Sequence, residues 1–308
     1  MQELKFKAKD GKEIFYRCWA DVEREKGVVQ IAHGMAEHCL RYDYFAQKLN
    51  AAGYIVYAND HRGHGYTESD KNNLGYYADS NGWEKVRDDM KSLTDIIKSN
   101  HPDSHVFLFG HSMGSFLSRA YIQQYGEVLT GVILCGTGGN PGLTGKIGKW
   151  IADREVIKLG GKHRSEKMDK MSFGNFNKAF KPNQTNFDWL SRDSAEVKKY
   201  MDDELCGFLC TSKFFSDLLG GIIDINRKEN INRIPRDLPI FFVSGDKDPV
   251  GGNKKGVLQA YISYAEAKIK DVSYKFYSEA RHEILNETNR DEVIGDILNW
   301  IDQHNIYE

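Results

Sequence analysis

Short runs of β-branched and aromatic residues, bounded by Gly, Asp, Asn or Pro, alternate along this chain with longer stretches whose apolar positions recur every three or four residues. The short runs predict strands at 4–8, 14–19, 27–32, 54–58, 106–109, 131–135, 239–243 and 272–277. The first two, joined through Asp10-Gly11, predict an N-terminal hairpin. Helices are predicted at 83–99, where Val86, Met90, Leu93 and Ile97 form one apolar stripe, and at 291–305, where Val293, Ile297 and Ile301 repeat it. Neither stripe goes all the way round, so each helix covers a sheet with one face. Strands alternating with one-sided helices predict an α/β fold: an eight-stranded, mostly parallel sheet with helices on both faces.

One stretch breaks the rhythm. Residues 137–235 carry no strand-like run, and Trp, Phe and Met cluster there at helical spacings, which predicts a helical insertion in a core made of 1–136 and 236–308. The stretches 138–148 and 227–239 are the natural hinges. The insertion holds Trp150, Trp189 and the phenylalanines Phe173, Phe176, Phe180, Phe187, Phe208, Phe214 and Phe215. Helix-on-helix packing can bury these rings, or some can form an apolar wall over a cavity, with Phe173, Phe176, Phe214 and Phe215 as candidates to line it.

Composition narrows the classes. At 308 residues, 40% hydrophobic and 28% charged, the chain is long enough for a large core and is not a disordered tail. Its 42 Lys+Arg against 44 Asp+Glu leave a formal charge of −2, so no global field draws it to nucleic acid or anionic lipid. The insertion differs locally: 17 basic against 13 acidic residues give it +4, leaving −6 for the rest (25 against 31). A basic, aromatic insertion can make transient contact with a membrane or micelle surface, although a solvated helix face explains the same charges. The opening MQELKFKAKDGKEIF has charges every second or third residue and does not read as a secretory signal, and no run reaches the roughly 18 apolar residues of a membrane span. Five scattered cysteines (Cys18, Cys39, Cys135, Cys206, Cys210) fit a reducing, cytoplasmic setting. Cys206 and Cys210 lack a second Cys/His pair at zinc-ligand spacing.

The sharpest chemical signal is VFLFGHSMGSFLS at 106–118, an apolar strand running through G-x-S-x-G into a helix. Such a turn lifts Ser112 from the sheet edge, and the N–H of Met113 at the helix start can stabilise an oxyanion. A serine hydroxyl is a poor nucleophile near neutrality and requires a histidine base oriented by a carboxylate. The strand at 239–243 ends in SGDKDPV, where Asp248 is the preferred orienter and Asp246 is expected to bond the turn backbone. His282 in ARHE follows the last strand and is the best placed of ten histidines, while its neighbour Glu283 cannot easily face the same ring. Ser112, Asp248 and His282 follow each other in the order of the nucleophile-elbow fold. A second oxyanion donor is expected from HGMAEH at 33–38: Met35 N–H, with Gly34 allowing close approach and His33 bracing the loop. Nothing near His33 or His38 in the sequence completes a zinc ligand set. NDHRGHG at 59–65 reads as a structural turn in which Asp60 and Arg62 pair.

Taken together, HGMAEH, YANDHRGHG, GHSMG, SGDKDPV and EARHEILNE resemble the α/β-hydrolase superfamily, in its monoacylglycerol lipase and lysophospholipase-like branch, often grouped with serine aminopeptidases. The resemblance covers nearly everything outside 137–235. It implies a triad of Ser112, Asp248 and His282, an oxyanion hole from Met35 and Met113, and a mobile helical cap formed by the insertion. Glu204 departs from the proline common in relatives, so detailed cap geometry is not carried over. The implied activity is hydrolysis of single-acyl esters, monoacylglycerols or lysophospholipids, through a covalent acyl-enzyme, with no cofactor and no metal. An aminopeptidase or amidase on the same triad would need a cap carboxylate for the substrate amine, for which Asp203 or Glu204 is available. A noncatalytic small-molecule receptor on this scaffold is the remaining alternative.

Overall fold

The computed structural model describes residues 1–68 and 70–306. Its sheet comprises β1 (Gln2–Lys7), β2 (Glu13–Trp19), β3 (Gly27–Ala32), β4 (Tyr54–Asn59), β5 (Val106–His111), β6 (Gly131–Cys135), β7 (Ile240–Gly245) and β8 (Val272–Tyr277), in the spatial order β1-β2-β4-β3-β5-β6-β7-β8. β1 and β2 form the hairpin, with Phe6 opposite Ile14 and Lys7 opposite Glu13. β2 meets β4 antiparallel, and every later pairing is parallel. The eight strands fall where the apolar runs predict them, with ends that move by a residue or two.

Alternation along each central strand sends side chains to two cores. Val28, Val106, Leu108, Val132, Leu134, Ile240 and Phe242 point to one face, covered by α2 (Gly82–Asn100), α3 (Met113–Tyr125) and α9 (Lys255–Glu266). Val29, Ile31, Phe107, Phe109, Ile133, Cys135, Phe241 and Val243 point to the other, covered by α1 (Asp43–Ala51) and α10 (Arg290–His304). Burying each such Leu or Phe contributes roughly 1.5–3 kcal/mol. β3 to β7 are therefore buried on both faces, whereas the edge strand β1 is mostly exposed and carries Lys5 and Lys7, charges that discourage edge-to-edge pairing.

Between β6 and β7 run α4 (Gly142–Leu159), α5 (Glu166–Phe173), α6 (Ser194–Asp202), α7 (Ser212–Ile225) and the short α8 (Lys228–Ile231). Among the described residues this stretch contains no strand, only an isolated bridge between Arg164 and Thr211. α7 packs on α4 and reaches down onto α2 and α3, so Phe214, Phe215, Leu218 and Ile225 join the main core. Leu190, Tyr200 and Cys206 form a separate small cluster with Phe187 and Trp189.

The turn after β4 corrects one expectation. Asp60 does not pair with Arg62: its two oxygens accept the backbone N–H groups of Cys39 and Tyr66, both at 2.8 Å. Arg62 instead reaches Asp89 on α2 at 2.5 Å and Asp10 of the hairpin at 2.7 Å. Capping its own turn occupies the aspartate, and the long arginine stem crosses to carboxylates on other elements.

Candidate active site

β5 turns into α3 within one residue. Ser112 occupies that turn with φ +53° and ψ −119°, a region that costs a non-glycine residue about 1–3 kcal/mol. The strain persists because the surroundings fix it: Ser112 N–H donates to Cys135 O at 2.9 Å, and a Cβ on Gly114 would lie 2.0 Å from Ala32 O. The loop after β3 approaches equally closely, since a Cβ on Gly34 would lie 3.3 Å from Ser112 Cβ and 2.6 Å from Glu37 Oε1. Only residues without side chains fit at these two contacts.

Three loops at the carboxyl edge of the sheet bring the hydroxyl, the imidazole and the acid into series. Ser112 Oγ lies 2.8 Å from His282 Nε2, and His282 Nδ1 lies 2.9 Å from Asp248 Oδ1. Asp248 is fully buried and also accepts from Val250 N–H at 2.8 Å and Ser244 Oγ–H at 3.2 Å. Those donors hold the carboxylate in one orientation, so Nδ1–H points at it and Nε2 is left as the acceptor for the serine proton. Asp246 is engaged elsewhere, accepting from Glu279 N–H at 2.8 Å. Met113 opens α3, so its N–H has no intrahelical partner, and Met35 sits half-buried in the loop that abuts Ser112.

Sequence reasoning missed a buried ionic node behind this series. Arg41 donates to Glu37 Oε2 at 2.6 Å and to both oxygens of Glu283 at 2.6 and 2.7 Å. Glu37 Oε1 accepts Gly34 N–H at 2.5 Å and Tyr42 O–H at 2.8 Å, and faces His111 Nδ1 at 3.3 Å. Burial pushes both carboxyls up, but the Arg41 guanidinium overcomes it and holds Glu37 well below, and Glu283 below, the usual range. Glu283 and His111 are the chain neighbours of His282 and Ser112, so one guanidinium and its carboxylates tie three loops together. The only sequence signal was the charge at positions 37, 41 and 283.

His33 braces the loop as expected. Its Nδ1–H donates to Gly34 O at 2.7 Å and its Nε2 accepts His61 N–H at 2.9 Å. Its ring packs on His61 and His64, with centroids 4.2 and 5.2 Å away. Burial pushes each of the three down to about 3. All three are therefore neutral in the folded protein, whereas an unfolded histidine takes up its proton near pH 6.5. A lowered folded value means stability present above 6.5 that is lost as pH falls from 6.5 toward 3. Each ring is expected to withdraw about 2 kcal/mol by pH 5, and because all three are still neutral in the folded protein at that pH, the three losses add. Urea unfolding at pH 7 and pH 5 checks this, and an unchanged midpoint refutes it.

Above His282 lies an aromatic wall. Trp189 is 5.2 Å from the His282 ring, Phe176 is 5.1 Å from Trp189, and Phe173 stacks on Trp189 at 6.1 Å. Phe214 and Phe215 are buried in the main core, Phe214 against Tyr77 at 4.7 Å, and Phe173 packs against that same core. Helical spacing shows which residues share a face but not which body that face packs on.

At the other end of the insertion, Gly207 N–H donates to Ala36 O at 2.9 Å, and His38 Nε2 lies 2.8 Å from Asp203 Oδ2. Glu204 is exposed and paired with Lys71. In space, Asp203 and Cys206 approach His38 from 165 or more residues away along the chain.

The family described as serine aminopeptidase, S33, matches residues 23–289. A monoacylglycerol lipase of Mycolicibacterium smegmatis is 28% identical over 98% of this chain and 97% of its own, and a mouse monoglyceride lipase is 26% identical over 95% and 88%. Among solved structures, a thermostable carboxyl esterase from Bacillus coagulans in complex with glycerol superimposes with a TM-score of 0.92 at 30% identity, covering 99% of both chains.

Proposed function

Because the chain belongs to the serine aminopeptidase S33 family of α/β-hydrolases, we propose that it is a serine ester hydrolase acting on monoacylglycerols or closely related single-acyl lipids. The observation that carries this reading is the series Ser112 Oγ, His282 Nε2, His282 Nδ1, Asp248 Oδ1, with links of 2.8 and 2.9 Å. In the proposed reaction His282 takes the Ser112 proton as the oxygen attacks the ester carbonyl. Asp248 holds the imidazolium, and Met35 and Met113 N–H groups receive the developing oxyanion. His282 then protonates the departing alcohol, and water, deprotonated by the same ring, releases the acid. The helices of 137–235 are read as the cap, and Trp189, Phe173 and Phe176 as the wall along which an acyl chain lies.

The family's name raises an aminopeptidase, which needs a free carboxylate for the substrate's amine. Asp203 is paired with His38 and Glu204 with Lys71, which supports the ester reading. Comparing a monoacylglycerol with an aminoacyl anilide tests it. The ester is expected to be favoured in kcat/KM by at least about a hundredfold, and anilide preference overturns the reading.

No helix among the described residues is long and apolar enough to cross a membrane. Contact with a lipid surface is supported by α4, where Leu143, Ile147, Trp150 and Ile157 lie exposed along one side, flanked by exposed Lys146, Arg154 and Lys158. Five free, buried cysteines support a cytoplasmic setting.

A further inference from the structure

We propose that His38, Asp203 and Cys206 form a binding site for a borderline-soft divalent ion, Zn²⁺ being the natural fit, that joins the insertion to the loop after β3. One imidazole nitrogen, one carboxylate oxygen and one thiol sulfur lie within 4.8 Å of one another. Zinc bonds of about 2.0–2.3 Å in tetrahedral array need ligand atoms roughly 3.3–3.8 Å apart, so small side-chain rotations close the set. The donors are the mixture zinc favours and the hard ions Mg²⁺ and Ca²⁺ do not.

A further observation points to a ligand. The His38 ring is 3% exposed, and its Nδ1 is buried without a hydrogen-bond partner. Asp203 thus holds the ring from one side only, so turning Nε2 toward an ion exchanges its 2.8 Å bond to Asp203 for a bond to the metal, and Nδ1 has no bond to lose. Solvent reaches the site past Asp203, whose side chain is 35% exposed, leaving room for water as a fourth ligand. On binding, the His38 proton moves from Nε2 to Nδ1, the Cys206 S–H bond breaks and its proton passes to solvent, and nitrogen–metal and sulfur–metal bonds form. The ion fastens 203–206 beside the existing Gly207 N–H to Ala36 O bond.

The site does not depend on the catalytic reading, and its test reads binding. Full-length protein, reduced and freed of metal, is titrated with Co²⁺ and then with Zn²⁺. One equivalent of Co²⁺ is expected to give a thiolate-to-cobalt charge-transfer absorption that Zn²⁺ removes. Cys206→Ser abolishes that absorption, and Asp203→Asn, a milder change at a partly exposed position, weakens Zn²⁺ binding about tenfold or more. Glu204→Gln leaves both unchanged. Wild-type protein without the absorption, Cys206→Ser protein that keeps it, or loss of binding in Glu204→Gln overturns the site.

Discussion

Ser112→Ala is expected to lower kcat on a monoacylglycerol by about 10⁴- to 10⁶-fold while KM stays within several-fold. The geometry gives the reason for both halves. The Ser112 hydroxyl is the one nucleophile 2.8 Å from an imidazole already oriented by a buried carboxylate. Alanine removes the proposed attacking oxygen but leaves the proposed oxyanion donors, Met35 and Met113 N–H, and the aromatic wall, so binding is expected to persist while the covalent route is lost. Alanine leaves His282 Nε2 without its 2.8 Å partner, a cost on the order of 1 kcal/mol. A strained φ of +53° is no better tolerated by alanine than by serine, so stability should change little. A fluorophosphonate probe gives the independent readout: the wild type labels at Ser112 and the variant does not. A variant that keeps most of its turnover, or a folded wild type that resists labelling, would remove Ser112 from the reaction and leave the receptor reading standing.

How much of this was legible in the sequence depends on the range of each interaction. The triad residues sit in loops next to strongly apolar strands, and strand, turn and helix signals are local, so Ser112, Asp248 and His282 could be placed on one sheet edge without knowing the packing. The hairpin and the two stripes on α2 and α10 were readable for the same reason. Arg41 meeting Glu283 is a contact across 242 residues with no local signature, and neither partner is unusual by type. The histidines at 33, 61 and 64 gather for a reason equally invisible to spacing: parallel β3 and β4 lie side by side and deliver their following loops to one place. The insertion was legible as helical but not in its docking, which is set by which faces of α4 and α7 meet α2 and α3.

Arg41→Met is expected to destabilise the protein by about 3–5 kcal/mol, because it strands two buried carboxylates, Glu37 and Glu283, that share one guanidinium. For a chain of this size that is a fall in Tm of roughly ten degrees. The sign with pH follows from the direction of the shifts. Both carboxyls are held below their ordinary value, so the wild type gains stability that is present above the unfolded carboxyl range and lost as pH falls through the folded values. The variant lacks that gain, and the gap between the two proteins is widest near neutrality and narrows in acid. Activity should fall chiefly in kcat. Glu37 holds Gly34 N–H, and Glu283 directly follows His282, so a loosened node moves both the oxyanion loop and the base by fractions of an ångström. Tyr200 also loses the cation 4.8 Å from its ring, which loosens the insertion at the same point. Arg41→Lys keeps the charge but not the bidentate fork and should recover stability only in part. Thermal unfolding of the wild type and both variants from about pH 3 to pH 8 measures this. A Tm for Arg41→Met close to the wild type, or a gap that widens toward acid, would show that the two carboxylates do not rely on Arg41.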